Sequence, residues 1–123
     1  MHETDMTRAL IQTLQIWWQA QPESPRIERV YLQVGQFTCV EPASLQFAYR
    51  VQTRNTVLEG SQLLIEEIPL VAFCQPCQQT YRPEIGTAYA CPTCHAPMQE
   101  IRSGRELKIA AIDHRSTLTP MEI

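Results

Sequence analysis

Two pairs of cysteines carry the strongest chemical signal in this 123-residue chain. Thirteen residues separate the pairs, which are Cys74 with Cys77 and Cys91 with Cys94. Each Cys-x-x-Cys pair can aim two thiolates at one point, and four thiolates at about 2.3 Å in a tetrahedral arrangement suit a structural zinc ion. The spacing therefore predicts a closed four-cysteine zinc site, which supports structure and leaves no open position for catalysis.

Other interpretations of the cysteines stay open at this point. Disulfides are typical of oxidising compartments, but the N-terminus lacks the layout of a secretory signal, so we expect cytoplasmic thiols. A rubredoxin-like iron site would use the same four ligands, and ligand softness alone does not separate iron from zinc. The fifth cysteine, Cys39, has apolar neighbours and is predicted to be a small buried side chain.

The first three residues, Met1, His2 and Glu3, offer a second set of metal ligands. The α-amine of Met1, the amide nitrogen of His2 and its imidazole can close consecutive chelate rings, and the amide or carboxylate of Glu3 can add a ligand. A nitrogen-rich, tetragonal set of this kind favours Ni(II) or Cu(II). It requires Met1 to stay on the chain, which we expect because histidine is not a small residue. The same residues are also compatible with an ordinary solvent-exposed chain start.

Three further residues are weaker candidates. His95 follows Cys94 and is predicted to be exposed or to lie just outside the zinc ligands, and His114 is predicted at the surface after the last strand. Glu41 precedes the second predicted helix, where it can act as an extra ligand or complement the positive end of the helix dipole.

Composition limits the function classes. A hydrophobic content of 44% supports a real core, whereas a net charge of -3 argues against a nucleic-acid-binding protein. No apolar run is long enough to span a bilayer. The sequence shows no Ser/His/Asp set and no phosphate-binding loop, so we do not expect an enzyme.

Periodicity predicts two helices. The first begins almost at residue 1, with Thr4 or Asp5 as its cap, and ends near Pro22. Its apolar residues recur every three or four positions, and they are Met6, Leu10, Leu14 and Trp17. The second helix begins at Pro42 and carries Leu45 and Tyr49 on one face.

Three predicted strands surround these helices, at residues 26–34, 62–68 and 107–112. The order predicts an α+β fold in which two helices pack on a three-stranded sheet. A zinc-ribbon domain built on the four cysteines, residues 71–104, is inserted between the last two strands, and residues 1–70 with 105–123 form the other domain. Because those two strands flank the insertion, we expect it at the far end of a hairpin.

Beyond the chain start and the cysteine pairs, several short motifs are typical of one family. They are Val34-Gly35, Phe47-Ala48, Thr53-Arg54, Glu59-Gly60 and Ser103-Gly104-Arg105. Over nearly its full length the chain resembles the HypA/HybF family of nickel metallochaperones for [NiFe]-hydrogenase maturation.

The resemblance implies a nickel domain and a protruding zinc domain. By position, the Ni(II) ligands are the amine of Met1, then His2 and Glu3, and the zinc ligands are the four paired cysteines. The implied partners are an accessory nickel GTPase and the hydrogenase large-subunit precursor, and some relatives serve urease. The resemblance leaves both a monomer and a dimer open.

The chain departs from the family pattern at three positions. Gln36 stands where glutamate is frequent, Asn55 where glycine is common, and Asp5 where serine is common. Asp5 adds a carboxylate near the implied nickel ligands. A rival hypothesis of another class is a zinc-ribbon adaptor that docks proteins and has no nickel role.

Overall fold

A computed structural model describes residues 3–116; Met1, His2 and residues 117–123 lie outside the described part. The predicted order of the two helices and the three strands along the chain is confirmed, and so is the α+β class. The helices are α1 (Glu3–Gln19) and α2 (Pro42–Gln52), and short 3-10 turns cover Gln36–Thr38 and Ile85–Thr87. The strands are β1 (Arg26–Gly35), β2 (Gln62–Ile68), β3 (Val71–Cys74), β4 (Gln79–Tyr81), β5 (Glu100–Ser103) and β6 (Leu107–Arg115).

Helix α1 buries most of the predicted apolar stripe, of which Trp17 is only half-buried. Met6, Leu10 and Leu14 are all buried, and α1 packs against α2. The cap prediction is wrong, because Thr4 and Asp5 lie inside the first turn of a helix that has already begun at Glu3. Among the described residues, no helix has both the length and the apolar character needed to cross a membrane.

Helix α2 begins at Pro42, as predicted, because proline's fixed φ suits the first helical position. Glu41 is the N-cap residue, and its carboxylate accepts a hydrogen bond from the Ala43 amide at 3.4 Å. Leu45 and Tyr49 are buried, and the Tyr49 hydroxyl shares a 2.6 Å hydrogen bond with Ser61 Oγ. The Glu41 carboxylate thus lies at the positive end of the α2 dipole, as predicted, and it also caps the helix.

The main sheet has the order β2-β1-β6. Strand β1 is central and carries the alternating buried residues Val30, Leu32 and Val34. The hairpin expectation is wrong, because β2 and β6 lie on opposite sides of β1 and do not pair with each other. A central position suits the strand with the most regular apolar alternation, since burying its apolar face is most favourable there.

A second sheet, of order β4-β3-β5, follows along the chain. Strand β3 pairs antiparallel with both neighbours, with Ala72 opposite Tyr81 on one side and Ile101 on the other. Ala72 is fully buried. The cysteine-containing segment thus contains three short strands as well as its turns.

The chain forms two compact units. One comprises the described parts of residues 1–32, 40–65 and 109–123, and the other comprises residues 33–39 and 66–108. The domain boundaries after residue 70 and after residue 104 stay a prediction.

The last residue of β1 and the turn after it, residues 35–39, belong to the second unit. The Gly35 amide donates to the Glu106 carbonyl at 2.7 Å, and the Phe37 amide donates to the Gly104 carbonyl at 2.8 Å. Cys39 ends the 3-10 turn in a left-handed conformation, with φ of 58°, and its side chain is exposed. The prediction that Cys39 is buried is wrong, because the backbone there makes a turn and the thiol stays at the surface.

Candidate metal centre

The four paired cysteines sit on two similar turns. Cys74 ends β3, and Gln78, the residue after Cys77, has a φ of 53°. His95 occupies the matching position after Cys94, with a φ of 62°. Positive φ values let the backbone reverse direction within a few residues at each turn, so both sulfur atoms of a pair face the same point.

Backbone hydrogen bonds hold these turns closed. The Gln78 amide donates to the Gln75 carbonyl at 3.3 Å, and the His95 amide donates to the Cys91 carbonyl at 2.9 Å. The Cys91 amide in turn donates to the Ala96 carbonyl at 2.9 Å. The second turn is therefore fixed from both of its ends.

The sulfur atoms form a compact cluster. Cys74 Sγ lies 3.5 Å from Cys94 Sγ, and Cys77 Sγ lies 3.9 Å from Cys91 Sγ. All four sulfur atoms lie within 4.8 Å of one another. A tetrahedral ion with ligand distances of about 2.3 Å separates its sulfur ligands by about 3.8 Å. The cluster thus has the dimensions of a four-cysteine zinc site.

The backbone also tunes the acidity of these thiols. A hydrogen bond from the Cys94 amide lowers the pKa of Cys91 to about 6. The neighbouring Cys94 thiol, together with burial, raises the pKa of Cys77 to about 12. Without a metal the four thiols would not all ionise near neutral pH, so cation binding must displace protons.

Two histidines lie apart from this cluster. His95 is exposed, as predicted, and it is not among the clustered ligands. His114 is also exposed, with its ring edge-on to Trp17 at a centroid distance of 5.1 Å. It lies inside β6, so the prediction that it follows the last strand is wrong. Within residues 3–116 the cysteine cluster is the one group of three or more potential metal ligands.

Of the three N-terminal candidates, Glu3 alone lies in the described part of the chain. Its Oε1 atom accepts a hydrogen bond of 3.4 Å from the Glu41 amide, at the start of α2. The first turn of α1 and the first turn of α2 are therefore adjacent. Met1 and His2 lie outside the described residues, so their role as nickel ligands stays a prediction.

Comparison with known protein families shows the family to which this chain belongs. The family model described as "Hydrogenase/urease nickel incorporation, metallochaperone, hypA" matches residues 1–114. The chain belongs to the HypA family. The match includes both the Met-His-Glu start and the two cysteine pairs. HypA proteins are nickel metallochaperones, and the cysteine cluster of this HypA-family chain fits the structural zinc site expected from its sequence.

Two curated relatives in the HypA family carry different names. The chain is 70% identical over 113 residues to the hydrogenase maturation factor HypA of a Synechococcus species, covering 92% of this chain and 86% of the relative. It is 61% identical over 114 residues to guanidine hydrolase-activating protein A of a Synechocystis species, covering 93% of this chain and 95% of the relative.

A solved HypA structure shares the fold. The solution structure of the Ni metallochaperone HypA from Helicobacter pylori matches with a TM-score of 0.66 at 20% sequence identity. The match covers 94% of this chain and 99% of that protein.

Proposed function

We propose that this chain is a cytoplasmic nickel carrier, not an enzyme, which binds Ni(II) at its N-terminus and transfers it to the precursor of a nickel enzyme. The observation that carries the proposal is the family match over residues 1–114, because it joins the Met-His-Glu start to the cysteine pairs in one chain. Neither feature alone would separate a nickel carrier from an ordinary zinc-ribbon protein.

The proposed nickel ligands are the amine of Met1, then His2, with Glu3 completing the set. The placement of Glu3 supports this arrangement, since it is at the first turn of α1. The first N–H groups of an α-helix have no carbonyl acceptor within the helix, so the helix does not use the amide at position 3. Amine and imidazole nitrogens favour Ni(II) in a tetragonal geometry, and protonation of either one weakens binding.

The proposed zinc ligands are Cys74, Cys77, Cys91 and Cys94. When bound, zinc would join the two cysteine turns and supply folding free energy to a segment with little apolar surface. Cys74 and Cys91 are buried, whereas Cys94 is exposed. A closed four-thiolate site suits permanent retention of zinc, while open nitrogen ligands at a chain end suit the release of nickel.

For the client, we propose the [NiFe]-hydrogenase large-subunit precursor, with an accessory GTPase assisting transfer. Support comes from the name of the 70% identical relative, which is a hydrogenase maturation factor. The 61% identical relative favours a second candidate, a guanidine hydrolase, and the family description adds urease. The three clients share one requirement under this proposal, which is that nickel leaves the N-terminus of the carrier.

Two measurements test the proposal. Nickel titration of the untagged protein should show a specific site, and a zinc-ribbon adaptor without a nickel role would show none. Nickel-loaded protein should then activate a metal-free client precursor in a purified mixture. Activation of the hydrogenase precursor alone supports the first client, and activation of the guanidine hydrolase alone replaces it with the second.

A further inference from the structure

Five of the nine arginines line two adjoining hollows in the first unit. The first hollow, of about 560 Å³, lies between the end of α2 and the start of β2, and Arg50 and Arg54 line it. The second, of about 420 Å³, is lined by Arg26, Arg29 and Arg115. Gly60 and Gln62 line both hollows. We call the two hollows together the arginine groove.

Positive charge exceeds negative charge in the arginine groove. The carboxylates that line it are Glu28 and Glu59, against five guanidinium groups. Arg115 lies 3.8 Å from Glu28, and Arg29 forms a 2.8 Å ion pair with Asp113.

The other three arginines of the groove, Arg26, Arg50 and Arg54, make no ion pair with any residue between 3 and 116. These three guanidinium groups therefore have no ion-pair partner among the described residues, although the net charge of the chain is -3. Arg50 can complement the C-terminal end of the α2 dipole, but that explanation does not extend to Arg26.

The point where the two hollows meet is open. Gly60 has a φ of +85°, and apart from its chain neighbours no described residue has an atom within 4 Å of the position that a Cβ would occupy there. Space above Gly60 is therefore available to a ligand that spans both hollows. A single small anion would contact one end only, whereas an extended chain could reach the arginines at both ends.

Apolar side chains flank Arg50 on α2. Phe47 is 62% exposed and Val51 is 41% exposed. Because residues three and four apart share a helix face, Phe47 stands beside Arg50 and Val51 on α2, and Arg54 follows the end of that helix. Exposed aromatic and arginine side chains on one face are typical of protein-binding surfaces.

We propose that the arginine groove docks an extended acidic segment of a partner protein. Its carboxylates would pair with Arg50, Arg54 and Arg26, since guanidinium groups bind carboxylates through two parallel hydrogen bonds. An apolar residue of the segment would contact Phe47 and Val51. A nucleic acid is less favoured, because a net charge of -3 opposes the approach of a long polyanion. The proposal does not rest on the nickel site.

The test is an NMR titration of the full, zinc-loaded chain with a synthetic eight-residue glutamate-rich peptide. A peptide with glutamine at every glutamate position is the control ligand. The expected result is a set of amide shifts at residues 50–62 with the glutamate peptide alone. The Arg50→Glu/Arg54→Glu variant should weaken binding about tenfold or more, and added salt should weaken it as well.

Arg82→Glu/Arg105→Glu is the matched control variant, because it makes the same total charge change at two exposed positions outside the groove. It should bind the glutamate peptide as the unmodified protein does. If circular dichroism shows that the double variant is unfolded, Arg26→Glu tests the other hollow. The proposal is overturned by absent binding at millimolar peptide, by equal binding of the glutamine peptide, or by unchanged binding in the groove variants. Tighter binding of an eight-nucleotide single-stranded DNA at the same residues would replace the protein partner with a nucleic acid.

Discussion

Gly35 and Gly104 approach each other so closely that a Cβ on Gly35 would lie 2.1 Å from both the carbonyl carbon and the carbonyl oxygen of Gly104. Gly104 itself has a φ of +112°, and a Cβ there would lie 2.6 Å from the Cα of Leu70. Both obstacles are backbone atoms, which cannot rotate away as a side chain can. The two glycines therefore let the end of β1 pack directly on the chain between β5 and β6.

Gly35→Ala should lower the free energy of unfolding by about 2–4 kcal/mol, because the new methyl group has to displace backbone. The measurement is urea denaturation of the zinc-loaded protein. Gly86→Ala is the matched control in the same unit, since among the described residues other than its chain neighbours none has an atom within 4 Å of its Cβ position. Its effect should stay within about 0.5 kcal/mol. Equal stability of the two variants would show that the close approach does not constrain position 35.

Zinc removal should unfold the turns between Cys74 and Cys94 while leaving α1 and α2 largely protected. The reason is that the four sulfur atoms converge on one point, and without the ion little apolar surface holds them there. Hydrogen–deuterium exchange on chelated protein measures this. Unchanged protection across residues 74–94 would mean that the metal does not hold this segment together.

Cys74→Ala should destabilise the cysteine segment and leave specific nickel binding largely intact. Cys74 lies within the compact cluster, whereas the proposed nickel ligands are at residues 1–3. Nickel calorimetry alongside circular dichroism measures both properties on one sample. A variant with folded helices and no nickel binding would show that the two metals share ligands.

His2→Ala should abolish specific nickel binding without unfolding the protein, because a side chain at a chain terminus contributes almost nothing to a core. One residue added before Met1 should weaken nickel binding nearly as much, although every side chain is retained. The addition converts the Met1 amine to an amide, which is a poor ligand until it is deprotonated.

Nickel titration of these two variants separates an amine-anchored site from an ordinary histidine site. Circular dichroism of each variant is the control for folding. Full nickel affinity in the extended protein would exclude the amine as a ligand, and His2 could still be one.

The ion pair between Arg29 and Asp113 should make stability depend on pH in the acid range. The hydrogen bond from Arg29, aided by one from Tyr31, lowers the pKa of Asp113 below its usual 3.8. A lowered folded-state pKa means that this stabilisation is present above about pH 4 and is lost as the pH falls through the folded-state pKa.

The measurement for Asp113 is thermal unfolding followed by tryptophan fluorescence, since both tryptophans lie in α1. Asp113→Asn should lower the melting temperature at pH 6, and its difference from the unmodified protein should shrink toward pH 3. Asp5→Asn is the control, because Asp5 forms a longer, exposed pair with Arg8 at 3.8 Å. A constant difference between Asp113→Asn and the unmodified protein at all pH values would contradict this assignment.

Local sequence determined both helices, the three strands of the main sheet and the convergence of the four paired cysteines. Proline at position 42 starts α2 because its ring fixes φ, and a short segment rich in apolar residues indicated β2 at Gln62–Ile68. The spacing of the cysteine pairs was sufficient to predict their convergence. The departure at Asn55 also has a local explanation, since its φ of 62° is one that asparagine tolerates in place of glycine.

The tertiary structure alone decided which of these elements meet. It placed β1 between β2 and β6, where the sequence had indicated a hairpin, and it exposed Cys39, which its apolar neighbours had suggested was buried. It also brought the Glu3 carboxylate to the Glu41 amide, 38 residues away, and gathered five arginines from three separate stretches into one groove. Periodicity depends on neighbours within a few residues, so it specifies a helix or a strand. Strand order, burial of a single side chain and convergence of distant charges depend on contacts between remote segments, which no short pattern contains.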